Sequence, residues 1–398
     1  MGLISHLPDN VLVTIVSFLA FREAARTLVL ARRWQNIWRQ TRNIEFNELF
    51  FSYIGKDEDD ARRIAFVNFL QNWINNYQPT VLDRVCVTFS RPGNFPVLVE
   101  ECIRFAITSE VKALGLDFSD PSWGDDVLLG NSPERSFVLP QVVYQHGVLE
   151  SLTLLFLQVQ CGRDNFSSLE ASFTCCQLLE RLSLKNCWNT TGLQIGGKNL
   201  RLRSLVVDKF IMSENPWIEI EASNLKYFKY SGTMAVFDIR AGELEEVYLE
   251  FGLESEGDEA MGDRHYQLLH QLPVRMLTVC QYMLQALVIQ IVPQRSVELA
   301  EGEPDDVDDV WTPNSPDYHC VSQTLKVVQL RGYKETRHEV SFLKYLFFHG
   351  HVLGQLHILI AEELRNQRSV AENRRLVMKT FQGLRRASDN LSINLYGR

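Results

Sequence analysis

Three groups of residues have types and spacings that suggest chemistry, and each falls short of it. Gly192, Gly197 and Lys198 occupy the first fixed places of a phosphate-binding Gly-x4-Gly-Lys-Ser/Thr loop. The next position is Asn199, which has no hydroxyl to hold Mg²⁺, and a strand-like Leu200-Arg201-Leu202-Arg203-Ser204-Leu205-Val206-Val207 follows. A phosphate there would lack the helix N-terminus that such loops depend on. His349, His351 and His357 lie close in sequence without further ligands at metal-site spacing, and Cys161, Cys175, Cys176 and Cys187 supply no Cys-x-x-Cys framework for zinc. Asp305-Asp306-Val307-Asp308-Asp309 resembles a calcium loop in charge alone, lacking the glycine at the sixth place and the glutamate at the twelfth. No Gly-x-Ser-x-Gly elbow appears, and no cysteine has a neighbour that would activate it. The expectation is a non-catalytic chain with no metal and no cofactor.

Composition narrows the class. The chain has 398 residues, 45% hydrophobic and 22% charged, which is globular usage. Its length fits two or three domains, or one continuous repeat array. A net charge of −9, from 40 basic and 49 acidic residues, argues against charge-driven nucleic-acid binding. Eight cysteines read as free thiols in a reducing compartment. No apolar run is long enough to span a membrane and Met1–Leu7 is no secretory signal, so the expected location is cytoplasm, nucleus or both.

The elements that must position any binding residues come in three kinds. Residues 7–40 read as a compact helical unit. Leu7-Pro8-Asp9 opens a helix, with Pro in the first turn and Asp at its positive end. Leu12, Ile15, Val16 and Leu19 then recur at helical spacing, as do Ala24, Ala25, Leu28 and Val29, while Trp34 and Trp38 share the face of a third helix. About forty residues do not readily sustain a core alone, so some of these side chains must meet the next domain or another protein.

From about residue 80 a Leu-x-x-Leu-x-Leu pattern recurs. Its instances begin at Leu82, Val111, Leu149, Leu179, Leu202, Leu225, Leu244, Val274 and Leu325. Several spacings fall within the roughly 20–29 residues of a leucine-rich repeat, and the longer ones read as insertions. Strands this short cannot hide an apolar face alone, so neighbours must stack in parallel. Strand alternation turns Leu182 and Leu184 inward and Arg181, Ser183 and Lys185 outward. Equivalent outward positions are Ser204 and Val206, then Tyr227, Lys229 and Ser231, then Glu246, Tyr248 and Glu250. Arg181, Tyr227, Lys229, Glu246 and Tyr248 are the candidate target-binding residues, because tyrosines beside charges suit a recognition surface.

Between these regions, residues 61–77 form an amphipathic helix carrying Phe66, Phe69, Leu70, Trp73 and Ile74. Residues 298–318, rich in acids and punctuated by Pro304, Pro313 and Pro316, read as a loop. Residues 320–398 read as a cap for the last apolar layer, with Leu391-Ser392-Ile393-Asn394-Leu395 as a final alternating strand. The basic stretch 365–386 reads as a solvated helix face.

Leu7-Pro8-Asp9-Asn10-Val11-Leu12, Ile15-Val16-Ser17-Phe18-Leu19, Leu28-Val29-Leu30-Ala31-Arg32-Arg33-Trp34 and Trp38 together resemble an F-box. Trp311-Thr312-Pro313, Cys320, Leu325-Lys326-Val327-Val328-Gln329-Leu330, Gly332-Tyr333 and Phe342-Leu343-Lys344-Tyr345-Leu346 resemble an FBD signature. The chain thus resembles the plant F-box proteins that carry leucine-rich repeats and a C-terminal FBD domain. Leu19-Ala20-Phe21-Arg22 stands where relatives have a Leu-Pro-Thr-Lys-like corner.

The resemblance implies an α/β fold: an N-terminal helical F-box (1–46), a connecting helix (47–80), a leucine-rich-repeat solenoid of short parallel strands (81–297), an acidic loop (298–319) and an FBD-like cap (320–398). It implies the substrate receptor of an SCF-type ubiquitin ligase, bound to a Skp-type adaptor and through it to a cullin–RING ligase, with an unknown protein target. Leu7, Pro8, Leu12, Ile15, Leu19, Leu28, Val29, Trp34 and Trp38 are the adaptor-binding residues the resemblance implies. The alternative is a non-ligase repeat scaffold with a degenerate F-box. Neither reading involves nucleic acid or a membrane.

Overall fold

The computed structural model describes residues 6–51, 58–76, 82–120, 137–159, 173, 176–189, 192–197, 199–212, 216–251, 264, 267–269, 271–280, 320–382 and 386–396. The acidic run 298–319, Lys198, Cys161 and Cys175 lie outside them. The chain packs as two units, one holding residues 1–190 and 199–202, the other 191–198 and 203–398.

The first unit opens with three short helices, α1 (Asp9–Ser17), α2 (Phe21–Arg26) and α3 (Trp34–Ile37), with a 3-10 turn at Thr27–Val29. Leu12 and Val16 of α1, Ala24 of α2, and Trp34 and Ile37 of α3 form their common core. Arg33 closes the unit by donating to the Asp9 carboxylate and to the Leu7 carbonyl.

Strand β1 (Asn43–Asn47) and helix α4 (Glu58–Asn76) come next, followed by β2 (Arg84–Thr88), α5 (Pro96–Thr108), β3 (Ala113–Asp117), α6 (Gln141–Tyr144), β4 (Ser151–Leu155), β5 (Arg181–Lys185) and the short β6 (Trp188–Asn189). β1 to β5 pair in parallel, each with the next. Their register stacks Ile44, Val85, Leu114, Leu152 and Leu182 in one row, with Phe46, Val87, Leu116, Leu154 and Leu184 in a second. Every one of these side chains is buried.

An aromatic cluster joins the helices to this sheet. Phe21, Trp38, Phe46, Phe69 and Trp73 meet edge-on or tilted, with ring centroids 5.5–6.4 Å apart. Beside it the buried Glu48 carboxylate accepts from the Ser90 backbone N–H and hydroxyl and lies 3.5 and 3.7 Å from the Nε atoms of Arg62 and Arg63. A carboxylate taken out of water needs such partners, and this one fixes α4 against the end of β2.

The second unit holds β7 (Gly192–Gly196), β8 (Ser204–Met212), β9 (Trp217–Ala222), β10 (Tyr227–Gly232), β11 (Val236–Ala241), β12 (Leu244–Phe251) and β13 (Val274–Cys280). β14 (Val327–Tyr333), α7 (Arg337–His349), β15 (Gln355–Ile360), α8 (Glu362–Gln367), α9 (Val370–Thr380) and β16 (Ser392–Tyr396) complete it. β8, β10, β12, β13, β14, β15 and β16 form a parallel sheet in that order. Leu205, Phe228, Val247, Leu277, Val328 and Leu356 line one buried row, and Val207, Tyr230, Leu249, Val279, Leu330 and Ile358 the next. All nine Leu-x-x-Leu-x-Leu motifs are therefore strands with buried apolar positions, the arrangement of a leucine-rich repeat.

A second parallel sheet, β7, β9 and β11, was not legible in the sequence. It accounts for the first of the glycines that mimicked a phosphate loop. Gly192 opens β7, and a Cβ there would run into the Trp217 ring on β9. In the closing region Thr336 and Glu339 cap α7 reciprocally, the hydroxyl accepting from the Glu339 N–H while the carboxylate accepts from the Thr336 and Lys334 N–H groups.

Candidate functional site

Two surfaces stand out, and the first is apolar. α1 has two apolar stripes, and its core uses one. Leu12 and Val16 point inward, while Val11, Ile15 and Phe18 recur at i, i+4 and i+7 and remain in water. Leu19, and Leu28, Val29 and Leu30 around the 3-10 turn, are exposed as well. Phe18 is 86% exposed, Val29 79% and Leu30 64%, which is unusual for three large apolar side chains in one small helical unit.

The residues expected to bind an adaptor divide accordingly. Ile15, Leu19, Leu28 and Val29 are exposed, and so is Pro8 at the start of α1. Leu7 is half-buried and packs against the core. Leu12 and Trp34 belong inside, at 0% and 4% exposed, where they form the core of the three helices with Val16, Ala24 and Ile37. Trp38 is half-buried between Phe21 and Trp73, with centroids at 6.1 and 5.5 Å. These three therefore face inward in the isolated chain. Val11, Phe18 and Leu30 are the exposed residues that sequence reading missed, although the helical spacing of Val11, Ile15 and Phe18 was there to find. Phe21 of the unusual Leu19-Ala20-Phe21-Arg22 corner is buried in the aromatic cluster.

The second surface is the outward face of the strands. In the first unit Arg181 is exposed on β5. In the second unit the register sets Tyr227 beside Glu246 and Lys229 beside Tyr248. Lys229 Nζ lies 5.1 Å from the Tyr248 ring centroid, and the Arg331 guanidinium reaches the same ring at 5.1 Å. Two cations thus lie against one aromatic ring. Lys229 also pairs with Asp208 at 3.1 Å, and the Tyr248 hydroxyl donates to Glu250 at 2.9 Å. Thr278, on the strand between Tyr248 and Arg331, is only 2% exposed although its position faces outward. Partial burial pushes the Tyr227 phenol above its ordinary range, and the Glu246 carboxylate adds to this. Tyr227, Lys229, Glu246 and Tyr248 are thus brought together as the alternation implied. Arg331 was outside that set, since nothing local in the sequence shows that it reaches across the intervening strand β13.

The nucleophiles and ligands are placed unfavourably for chemistry. Burial raises the Cys102 thiol well above the thiol range and takes Cys187 to about 12, so neither forms a thiolate readily. His357 is held between Tyr396 Oη and Gln355 Oε1 at 3.0 Å each. His349 stacks on Tyr345 at 4.4 Å. Among the described residues no group of three or more His, Cys, Asp or Glu is arranged to hold a metal. No described helix is long and apolar enough to cross a membrane.

Comparison with known proteins finds relatives of this sequence in one family. The FBD family model matches residues 313–358, which include β14 and α7. An F-box protein of Arabidopsis thaliana is 33% identical over 71% of this chain and 66% of its own length. An F-box/LRR-repeat protein of the same plant is 28% identical over 83% of the chain and 70% of its own length. A further Arabidopsis F-box protein is 27% identical over 89% of the chain and 90% of its own length. The chain spans a little under two thirds of the first of these relatives. With its N-terminal helices, stacked parallel strands and FBD segment, the chain belongs to the plant F-box/FBD/LRR-repeat proteins.

Proposed function

We propose that this chain is the substrate-recognition subunit of an SCF-type ubiquitin ligase. Its helical unit docks a Skp-type adaptor, and the outward face of its parallel strands receives the protein target. The observation that carries this reading is the wet apolar face: the core under α1–α3 is already filled, yet Val11, Ile15, Phe18, Leu28, Val29 and Leu30 remain outside it. Covering Phe18 and Val29 alone would contribute about 3–6 kcal/mol. Four further side chains bring the gross gain into the range of the roughly 4–15 kcal/mol cost of association. Membership of the F-box family supports the identity of the partner. The chain itself supplies no catalytic step. It raises the effective concentration of target lysines near a charged ubiquitin-conjugating enzyme held elsewhere in the assembly.

The test is capture of a purified Skp-type adaptor by the full chain. Phe18→Asp combined with Val29→Asp abolishes capture while leaving the thermal midpoint unchanged, because both side chains are already in water. Capture that survives the double change removes this face as the docking site. A wild-type chain that captures no adaptor is a repeat scaffold instead of a ligase subunit.

A further inference from the structure

A pocket of about 280 Å³ lies within the first unit, where the helices meet the first two strands. Phe18 and Leu19 line it from the helical side, and Asn43, Glu45, Arg84 and Cys86 from the strand side. These strand residues hold outward positions, alternating with the buried Ile44, Phe46, Val85 and Val87. Both sides are fixed before anything enters. The Asn43 Nδ2 donates to the Ser17 carbonyl at 2.7 Å, and the Ser17 hydroxyl accepts from the Arg42 N–H at 3.3 Å, which ties the end of α1 to the start of β1. On β2 the Arg84 Nε donates to the Cys86 sulfur at 3.1 Å. A preformed pocket asks little reordering of its occupant's partner.

The lining itself selects the occupant. Phe18 and Leu19, the two residues that follow α1, are 86% and 37% exposed and belong to the pocket as well. A protein that covers them for docking therefore stands at the pocket with β1 and β2 opposite. The volume is just under the roughly 300–1,000 Å³ of small-molecule sites, and it suits the single side chain that anchors a protein contact. Glu45 and Arg84 put one charge of each sign on the lining. A charged occupant would meet repulsion along with attraction, and an uncharged one meets neither.

We propose that the adaptor seats one uncharged side chain in this pocket, carrying its contact past the helices onto β1 and β2. The inference rests on the reading of Phe18 as adaptor-binding and adds Asn43, Glu45, Arg84 and Cys86 to that contact.

The test follows alkylation of Cys86 by N-ethylmaleimide, read by peptide mass mapping of the full chain with and without a purified Skp-type adaptor. Saturating adaptor slows Cys86 labelling at least about tenfold. A thiol introduced by Ser151→Cys, outward on β4, keeps its rate. Cys86→Tyr fills the pocket and weakens adaptor binding at least about tenfold, whereas Thr153→Tyr on β4 leaves it unchanged. Glu45→Gln and Arg84→Gln each shift the affinity by less than about threefold. The labelling of wild-type Cys86 needs no substitution in the pocket, so it decides the matter if Cys86→Tyr fails to fold. Captured adaptor that leaves Cys86 labelling unchanged, or full-strength binding by folded Cys86→Tyr, overturns this proposal and spares the ligase reading. A wild-type chain that captures no adaptor removes both. Protection that grows with the chain's own concentration and needs no adaptor makes the occupant a second copy and overturns the proposal. So does a loss of about tenfold with one glutamine change and a gain with the other, which would make the occupant a charged group.

Discussion

The N-terminal helices and the β8–β16 strands handle apolar residues in opposite ways. Along the strands every inward Leu, Val or Phe finds a neighbour in register, and what faces water is Lys229, Tyr248, Gln329 and Arg331. Around α1–α3 five buried side chains complete the core, while an equal or greater number of large apolar groups stays outside. The difference follows from geometry. A strand has two faces and a parallel stack can fill one of them without limit, whereas three short helices enclose a small fixed volume. Apolar residues beyond that volume add little to the stability of the isolated chain.

The contrast is broken most directly by truncating one residue on each side. Phe228→Ala, in the middle of a sealed row, lowers stability by about 3–5 kcal/mol in urea unfolding. Phe18→Ser, on the wet face, stays within about 0.5 kcal/mol of wild type. If the two costs are similar, the helical face is core and the reading of it fails.

A smaller effect sharpens the description of the strand face. In a double-mutant cycle, Lys229→Met and Tyr248→Leu couple by about 0.5–1 kcal/mol. A coupling indistinguishable from zero would mean that Lys229 and Tyr248 make no energetic contact.

The smallest effect concerns His146, which is buried and donates from Nε2 to the Val111 carbonyl at 3.2 Å. Burial lowers its pKa below the ordinary histidine value. The folded chain then binds a proton less readily than the unfolded one, so the contribution is present above about pH 6.5 and is lost as pH falls through the depressed value. Unfolding free energies from urea titrations measured downward from about pH 7.5 decline by under about 1 kcal/mol more in wild type than in His146→Asn. A steeper decline in the variant reverses the assignment.

Much of this was legible in the chain. Leu182 and Leu184, or Val247 and Leu249, announce a strand with one buried face because side chains alternate with a period of two. Nine repetitions then require parallel stacking, since no single strand can bury its own face. The placement of Tyr227, Lys229, Glu246 and Tyr248 on one surface follows from the same alternation. For α1 the spacing of Leu12 and Val16 and of Val11, Ile15 and Phe18 was equally visible, but both stripes are apolar, and periodicity does not say which of two stripes turns inward.

Sequence by itself determined the repeat, the helical unit and the absence of spacing for metal or phosphate chemistry, because these depend on residues a few positions apart. Only the tertiary structure decided that Trp34 and Leu12 are sealed while Phe18 and Val29 are wet, that Trp217 requires a glycine at position 192, and that Arg331 reaches Tyr248 across an intervening strand. Each of these is settled by which distant segments compete for one volume or one ring, and that competition exists only once the chain has closed on itself.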